Sequence, residues 1–257
     1  MTTQTPKLGL ISAMAQEQAG LIDSMRDPHT SNRGMRDYVQ GSLWDTQCVC
    51  VLSRLGKVAA AATAATLIER FEVTHILFTG VAGAADQQVQ VGDIVIADQL
   101  IQHDMDASPL FPRFQIPLIG LSHFAADIAL TDKVALAVNT FIDRDFRLAI
   151  DAADQQQFKI HNPRVHRGLI ASGDEFIDSR VKLAELKQAL PNLLAVEMEG
   201  AAVAQVCFEF GVPFTVIRTI SDGANEDAPV DFMQFIERVA ARYAFGIARR
   251  LCRTIQD

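Results

Sequence analysis

Short apolar segments with strand character alternate with longer segments of helical period along almost the whole chain of 257 residues. The predicted strands include 8–13, 75–80, 92–101, a strand ending near Glu197, and 213–220. The predicted helices include 57–71, whose spacing predicts a buried stripe of Val58, Ala61, Ala65 and Ile68, and also 125–143, 179–190 and a helix from about Asp231. Because such alternation places helices on a central sheet, we expect one α/β domain over residues 1–257, with residues 1–6 as a flexible N-terminus.

Three stretches depart from this simple alternation. Residues 35–53 have strand character and predict a hairpin that turns near Gly41. Residues 103–120 contain three prolines and several apolar side chains without a period, which is typical of a lid or an interface. Residues 151–163 are polar, and we expect them to form an exposed excursion.

The composition favours a large core and excludes some partners. Hydrophobic residues make up 49% of the chain, which argues against disorder. The 23 Lys and Arg against 31 Asp and Glu give a formal net charge of −8, so neither nucleic acid nor an anionic membrane surface is expected as the main partner. No segment has the pattern of a signal peptide, and no apolar run reaches the roughly 18 residues of a membrane span. We expect a cytoplasmic protein.

The cysteines and the loops give no sign of a metal or a cofactor. Cys48 and Cys50 are separated by one residue, and Cys207 and Cys252 lie far away in predicted helices. This spacing favours buried thiols in a reducing compartment over zinc ligands or disulfides. The segment HDMDA, residues 103–107, has no third ligand at a suitable spacing, so we expect no metal site. No phosphate loop or dinucleotide fingerprint occurs either.

Polar residues and glycines lie at the ends of several predicted strands. They are Glu17, Gly80, Gly83, Glu197, Glu199, Arg218, Ser221 and Asp222. Ligands of α/β proteins bind beyond the carboxyl ends of strands, where these residues would meet. Carboxylates and a guanidinium in one cleft suit acid–base chemistry on a polar, uncharged substrate. Taken singly, each has a simpler interpretation, since acids favour helix starts and Ser-Asp-Gly favours turns.

The strongest of these signals is an acid pair within the apolar segment LLAVEMEGAAVAQVCF, residues 193–208. Glu197 and Glu199 lie there on either side of Met198. Carboxylates are costly to bury unless a partner neutralises them or a reaction uses them. The pair therefore indicates a buried polar site.

Seven segments occur in a characteristic order: SAMAQE, LGKVAAAATAATLI, TGVAGA, VGDIVIAD, SGDEFI, AVEMEGAAVA and RTISDGA. Together they resemble the 5′-methylthioadenosine/S-adenosylhomocysteine nucleosidase family of the purine nucleoside phosphorylase superfamily. The resemblance runs from about Leu8 to the end of the chain. It implies a mixed, partly barrel-like sheet surrounded by helices, without a cofactor. It also implies hydrolysis of the N-glycosidic bond of 5′-methylthioadenosine and S-adenosylhomocysteine, which releases adenine and the thioribose.

The resemblance further implies a role for each candidate residue. Asp222 matches the general acid that protonates adenine N7, and Glu17 matches the base that activates water, with Arg218 beside it. Glu199 matches the glutamate that binds the ribose hydroxyls, and Glu197 a supporting residue behind it. The other substrate-binding candidates are Phe176 and Ile177 for adenine, Met198 for the sugar, Met14, Leu55 and Phe232 for the 5′-alkylthio group, and Gly83 and Ser221.

The nucleophile distinguishes the two reactions of this superfamily. A phosphorylase must hold a dianion, which calls for arginines and hydroxyl donors. Hexameric phosphorylases have arginines at the positions of Glu17 and Phe78 and a serine at that of Val81; the side chains present here would repel phosphate or leave it unsatisfied. We therefore expect hydrolysis. Nucleosidases also commonly have serine at the position of Val81, so this chain lacks one hydroxyl near the attacking water.

Three alternative functions remain open. They are a purine nucleoside phosphorylase with an unusual anion site, an aminodeoxyfutalosine nucleosidase, and a non-catalytic protein that binds adenine nucleosides. A binding protein needs neither an acid nor a base, so the presence of Asp222 and Glu17 argues against the third.

The loop at 103–120 carries an apolar run that a monomer would expose. The run consists of Phe111, Phe114, Ile116, Leu118 and Ile119. Exposed apolar patches usually mark interfaces. The resemblance implies a two-fold homodimer, in which Pro117 of the partner subunit helps to close the pocket for the 5′-alkylthio group.

Overall fold

The computed structural model describes residues 6–18, 20–225 and 228–255. The expected flexible N-terminus lies outside these ranges, except for Pro6. The described part contains ten strands in one sheet. They are β1 (Lys7–Ser12), β2 (Arg26–Arg33), β3 (Arg36–Leu43), β4 (Thr46–Leu52), β5 (His75–Ala84), β6 (Ile94–Gln102), β7 (His123–Ala125), β8 (Val165–Ser172), β9 (Leu193–Glu197) and β10 (Phe214–Asp222).

Eight α-helices lie in the remaining described chain. They are α1 (Lys57–Phe71), α2 (Ile128–Arg144), α3 (Phe146–Ala149), α4 (Ala152–Gln157), α5 (Arg180–Ala189), α6 (Gly200–Phe210), α7 (Ala228–Phe235) and α8 (Ala241–Thr254). A π-helical turn, Ile236–Ala240, joins α7 to α8. Two short 3₁₀ turns, Ala15–Gln18 and Ile22–Ser24, follow β1.

Five of the strands close into a ring. β10 pairs in parallel with β5 and antiparallel with β6, which in turn pairs in parallel with β8. β8 pairs in parallel with β9, and β9 pairs antiparallel with β5. β1, β4, β3 and β2 extend the sheet from β5, and β7 lies beside β6. The mixed, partly barrel-like sheet expected from the sequence is therefore confirmed.

Apolar layers cover the sheet on both faces. α1 packs against α6 on one face, and α2 packs against α8 on the other. Successive residues of β1 belong to different layers, since Leu10 lies in the cluster with α2 and α8 and Ile11 in the cluster with α1 and α6. Burial on both faces explains why β1 reads as a continuous apolar run.

The buried face of α1 differs from the predicted stripe. Ala60, Ala64 and Leu67 are fully buried, whereas Val58 is 82% exposed. The prediction was wrong because alanines on every face of this helix give a weak periodicity, so that the larger Val58 dominated the pattern.

The hairpin between β3 and β4 turns at Trp44 and Asp45 rather than at Gly41. Both turn residues have left-handed backbone angles, with φ of 46° and 69°. Gly41 lies inside β3, where a Cβ atom would come within 2.5 Å of Met25 Cγ. This glycine permits a close approach in the sheet instead of a turn.

The stretch 151–163 is only partly exposed. It contains α4, and both Asp154 and Ile160 are 2% exposed. The expectation of an exposed excursion was therefore wrong for these two side chains. Their burial shows that the stretch packs on the domain.

The proline-rich loop is divided between core and solvent. Ile116 is buried at 5% exposure, whereas Leu110 is 83% and Leu118 is 95% exposed. A single chain thus buries Ile116, leaves Leu118 of the apolar run accessible, and half-buries Phe111, Phe114 and Ile119.

Two features relevant to ligands and membranes are missing from the described residues. None of their helices is both long and apolar enough to cross a membrane. Their His, Cys, Asp and Glu side chains also form no group of three or more that could hold a metal ion.

Candidate active site

A cavity of about 310 Å³ lies where residues at or just beyond the carboxyl ends of β1, β4, β5, β8, β9 and β10 converge. Its described lining comprises Ala13, Met14, Glu17, Leu55, Val81, Ala82, Gly83, Glu175, Phe176, Ile177, Val196, Glu197, Met198, Glu199, Asp222 and Phe232. This set contains five carboxylates but no lysine, arginine or histidine. A wider depression of about 860 Å³ beside Arg167 is open to solvent, and that arginine already pairs with Asp98 and Asp132.

Glu17 is held in the cavity by backbone N–H groups. Its Oε2 accepts hydrogen bonds from Ala13 N at 2.8 Å and Met14 N at 2.9 Å, and its Oε1 accepts one from Val81 N at 3.2 Å. The side chain lies in the 3₁₀ turn after β1, and the residue is 3% exposed. Burial raises the pKa of this carboxyl, although the N–H groups and the charge of Arg218 oppose the increase.

At the back wall of the cavity, Glu197 of the lining forms a buried ion pair with Arg218, which lies behind it. Glu197 Oε2 lies 2.6 Å from Arg218 Nη2, and the two side chains are 3% and 1% exposed. Glu197 also accepts hydrogen bonds from Ser172 Oγ and from the N–H groups of Glu199 and Gly200. These bonds offset the cost of removing both charges from water.

Arg218 also lies close to Glu17, as the resemblance implies. Its guanidinium stacks over the ring of Phe78, 4.1 Å from the centroid. A Cβ atom on Gly80 would lie 3.1 Å from Glu17 Oε1 and 3.3 Å from Arg218 Nη1. Gly80 therefore leaves room for the two charged groups to approach each other.

Glu199 is the carboxylate at the start of α6. Its Oε1 accepts a hydrogen bond from Gly56 N at 2.8 Å, at the N-terminus of α1. Burial is the main cause that raises the pKa of Glu199 to about 8, and the nearby charge of Glu197 adds to it. Glu199 therefore keeps its proton to a higher pH than a solvent-exposed glutamate does.

Asp222 ends β10 and is 2% exposed. Its Oδ2 accepts a hydrogen bond from Ser221 Oγ at 2.7 Å, and its Oδ1 accepts one from Ala224 N at 2.8 Å. A Cβ atom on Gly83 would lie 2.9 Å from Asp222 Oδ1. Gly83 therefore allows this carboxyl to lie against the backbone of β5.

Apolar side chains form the outer part of the cavity. The rings of Phe176 and Phe232 meet edge to face, with centroids 5.6 Å apart and an interplanar angle of 75°. Leu55 is 58% and Phe176 is 38% exposed, which places them at the rim. An apolar rim above buried carboxylates suits a ligand with one polar and one apolar end.

The chain matches the phosphorylase superfamily over residues 7–253. The 5′-methylthioadenosine/S-adenosylhomocysteine nucleosidase of Shewanella frigidimarina is 35% identical over 242 residues, which cover 94% of this chain and 96% of that protein. The nucleosidase of Neisseria meningitidis, solved in complex with methylthio-immucillin-A, has a TM-score of 0.84 at 32% identity and covers 95% of this chain and 97% of its own. The nucleosidase of Colwellia psychrerythraea, solved with adenine, has a TM-score of 0.83 at 31% identity, with 98% and 96% covered. This chain belongs to that nucleosidase family.

The residues proposed from the resemblance to this nucleosidase family fall into two groups. Those that line the cavity are Met14, Glu17, Leu55, Gly83, Phe176, Ile177, Met198, Glu199, Asp222 and Phe232. Arg218 and Ser221 lie behind the wall and contact Glu197 and Asp222. Pro117 is not among the described residues that line the cavity of a single chain.

Sequence reasoning missed two groups that hold the carboxylates of this nucleosidase site. Ser172 donates to Glu197 and accepts a hydrogen bond from Ala201 N at 2.7 Å. Gly56 donates its N–H to Glu199 from a backbone with φ of 92°. Ser172 begins the quoted segment SGDEFI, so a signal was present there. The role of Gly56 depends on where α1 points, which only the folded chain reveals.

Proposed function

We propose that this chain hydrolyses the N-glycosidic bond of 5′-methylthioadenosine and S-adenosylhomocysteine, releasing adenine and the corresponding thioribose. Its relatives carry this activity in their names and align over nearly the full length of both chains. The observation that carries the proposal is the lack of a cation that could hold phosphate. The described lining holds five carboxyl groups and no cationic side chain, and the nearby Lys182 and Arg218 already pair with Glu175 and Glu197. Such a site would repel the phosphate dianion but can hold water and an uncharged nucleoside.

In the proposed mechanism, Asp222 and Glu17 act on opposite sides of the bond that breaks. Asp222 donates a proton to adenine N7, so that the C1′–N9 bond breaks with its electrons moving to the base. Positive charge develops on the ribose. Water then attacks C1′, and Glu17 accepts a proton from this water. The raised pKa of Glu17 supports this role, because a stronger base accepts a proton more readily near neutral pH. The positive charge of Arg218, which lies behind the wall, stabilises the carboxylate form of Glu17.

The remaining lining residues are proposed to hold the substrate. Glu199 would accept hydrogen bonds from the two ribose hydroxyls, with Met198 against the sugar. Phe176 and Ile177 would contact the adenine. The 5′-substituent would lie among Met14, Leu55 and Phe232, while Gly83 and Ser221 keep Asp222 next to the base.

A single assay tests the reaction type. The protein is incubated with 5′-methylthioadenosine with and without inorganic phosphate, and adenine and the sugar product are quantified. We expect equal adenine release in both buffers and free methylthioribose as the product. Strict dependence on phosphate with a ribose 1-phosphate product would instead identify a phosphorylase. The absence of adenine would leave a binding protein or a nucleosidase for another adenine nucleoside, such as aminodeoxyfutalosine.

We also propose that the protein is an isologous homodimer that uses the loop at 103–120. The exposure of Leu110 and Leu118 in a single chain supports this assembly. Light scattering should give about twice the chain mass of 28.1 kDa. Leu118→Asp should lower both the dimer fraction and the activity on methylthio substrates, and it is a better probe than Ile116, whose burial makes a charge there destabilising. A fully active monomer at micromolar concentration would exclude the dimer.

A further inference from the structure

Residues 151–163, called the brace below, pack against the helical run formed by α7, the π turn and α8. Gln157 Nε2 donates to Gln234 Oε1 of α7 at 2.7 Å. The ring of Phe158 meets that of Phe235 edge to face, with centroids 5.4 Å apart. The brace is itself anchored in the core by Ile160, which is 2% exposed. It therefore connects the core to the last residues of α7.

A buried carboxylate joins the brace to the π turn. Asp154 is 2% exposed and contacts Arg238 of the π turn and, at 3.2 Å, Arg242 of α8. Arg238 also donates to Gln157 of the brace. A buried carboxylate depends strongly on its cations. This pairing therefore holds the position of the π turn more firmly than the exposed contacts around it.

The π turn determines how α7 is rotated relative to α8. Such a turn carries one residue more than the α-helical turn it replaces, and its loss would rotate α7 by about 100°, the angle of one residue. Ile236, Val239 and Ala240 of the turn are buried in the core. Arg238 is the residue of the turn that contacts the brace. The π turn is thus held from both sides.

One face of α7 forms part of the cavity wall. Phe232 lies there, edge to face against Phe176. It precedes Phe235, the contact of the brace, by about one helical turn. A change in the rotation of α7 would move Phe232 away from the cavity. The wall next to the 5′-substituent thus depends on a contact that lies outside the cavity.

We propose that Asp154 is a positioning residue that sets how tightly the 5′-substituent is bound. Through Arg238 and the π turn, it keeps Phe232 on the cavity wall. The identity of the 5′-substituent in this inference rests on the proposed function. The contact between the brace and the π turn is independent of that function.

The test compares Asp154→Asn with the matched variant Asp145→Asn. Asp145 also contacts two arginines of α8, Arg249 and Arg250, and its side chain is 13% exposed, but it lies away from the π turn. Asp154→Asn should raise KM for 5′-methylthioadenosine roughly tenfold, as expected for a lost apolar contact in a binding pocket. KM for adenosine, which lacks the alkylthio group, and kcat should change much less. Asp154→Glu should restore part of the difference.

Hydrogen exchange of residues 232–240 without substrate gives a second readout. Exchange should accelerate in Asp154→Asn and not in Asp145→Asn. Arg238→Ala removes the same contact from an exposed side chain and provides a second variant should Asp154→Asn fold poorly. The proposal would be overturned if the ratio of KM for 5′-methylthioadenosine to KM for adenosine were the same in the Asp154 and Asp145 variants. Equal hydrogen exchange of residues 232–240 in the two variants would overturn it as well. A wild type that releases no adenine contradicts the proposed function, and the exchange comparison still decides the role of Asp154.

Discussion

The back wall of the cavity and its interior both contain buried carboxylates, but these carboxylates have different hydrogen-bond partners. In the back wall, Glu197 contacts a guanidinium, a hydroxyl and backbone N–H groups. Within the cavity, the hydrogen bonds that Glu17 and Glu199 accept from the described residues come from backbone N–H groups. Burial accordingly raises the pKa of Glu17 and of Glu199. A carboxylate with a full set of partners serves the scaffold, whereas one that keeps a raised pKa remains available for binding and proton transfer.

The largest effect is expected at Asp222, the proposed acid of the cavity. Asp222→Asn removes the transferable proton but keeps the hydrogen-bonding shape, so turnover should fall by about 10²–10⁴ while nucleoside binding is largely retained. Adenine release and calorimetric binding measure the two quantities. Asp98→Asn, in an exposed ion pair with Arg167, is the control. Near-normal turnover of Asp222→Asn would mean that the proton comes from another group.

The wall should respond mainly in stability. Glu197→Gln leaves the guanidinium of Arg218, which is 1% exposed, without the carboxylate that forms its ion pair. The free energy of unfolding should fall by about 3–5 kcal/mol in urea titrations. Glu199→Gln, two residues away, should lose far less because it removes a carboxyl that repels its neighbours. Equal losses in the two variants would erase the distinction between wall and cavity.

The stability of the protein should depend on pH through Glu199. Burial raises the pKa of Glu199 from 4.5 to about 8, so the unfolded chain releases this proton at lower pH than the folded chain does. The stability that Glu199 contributes is therefore fully present below pH 4.5 and is lost as pH rises through about 8, at no more than about 1.4 kcal/mol per pH unit. The difference in free energy of unfolding between wild type and Glu199→Gln should decrease across this range. A constant difference would contradict the raised pKa.

Glu199 should also control the choice of sugar. Above pH 8, where Glu199 is charged, hydrogen bonds to it are worth roughly 1.5–3 kcal/mol, so Glu199→Gln should lower kcat/KM for ribonucleosides by about 10- to 100-fold. The wild type should already act poorly on 2′-deoxyribonucleosides, and the variant should lose little further activity on them. Equal wild-type activity on both sugars would remove Glu199 from the ribose site.

The smallest effect concerns Val81, whose N–H donates to Glu17 in the cavity. Val81→Ser adds a hydroxyl near the proposed position of the attacking water. One additional hydrogen bond there should raise kcat by about 2- to 10-fold. Val81→Thr keeps the branched shape and tests whether the hydroxyl or the lost volume causes the change. A lower kcat in both variants would show that the apolar side chain is itself needed.

Strands β1, β5 and β10 were predictable from the sequence because burial on both faces makes them nearly continuous apolar runs, whereas the polar and exposed β2 was not expected. The turn at Trp44 and Asp45 was not predictable either, since tryptophan is not typical of a left-handed backbone and Gly41 gave a stronger local signal. The buried stripe of α1 was also not predictable, because its alanines fit several registers. The burial of Ile116 and Asp154 depends on surfaces that come from distant parts of the chain.

Parts of the candidate site were likewise predictable from the sequence, and other parts were not. Glu199 and Asp222 were found because each follows an apolar strand at a position where polar residues are costly. Their roles came from the resemblance and stay predictions. The pairing of Glu197 with Arg218 joins strands that are not neighbours in the ring, so no spacing in the sequence contains it. The contact of Asp154 with Arg238 has the same origin.

The closure of the ring by β10 on β5 has a consequence for synthesis of the protein. Ile217 and Thr79 pair across more than half of the chain length. Until β10 leaves the ribosome, the edges of β5 and β6 that pair with it in the folded protein have no partner. Asp222, the last residue of β10, has not yet been made at that point. Pairings between such distant segments form slowly and leave strand edges open to other chains. The nascent protein is therefore most prone to aggregation just before the carboxylates of the cavity come together.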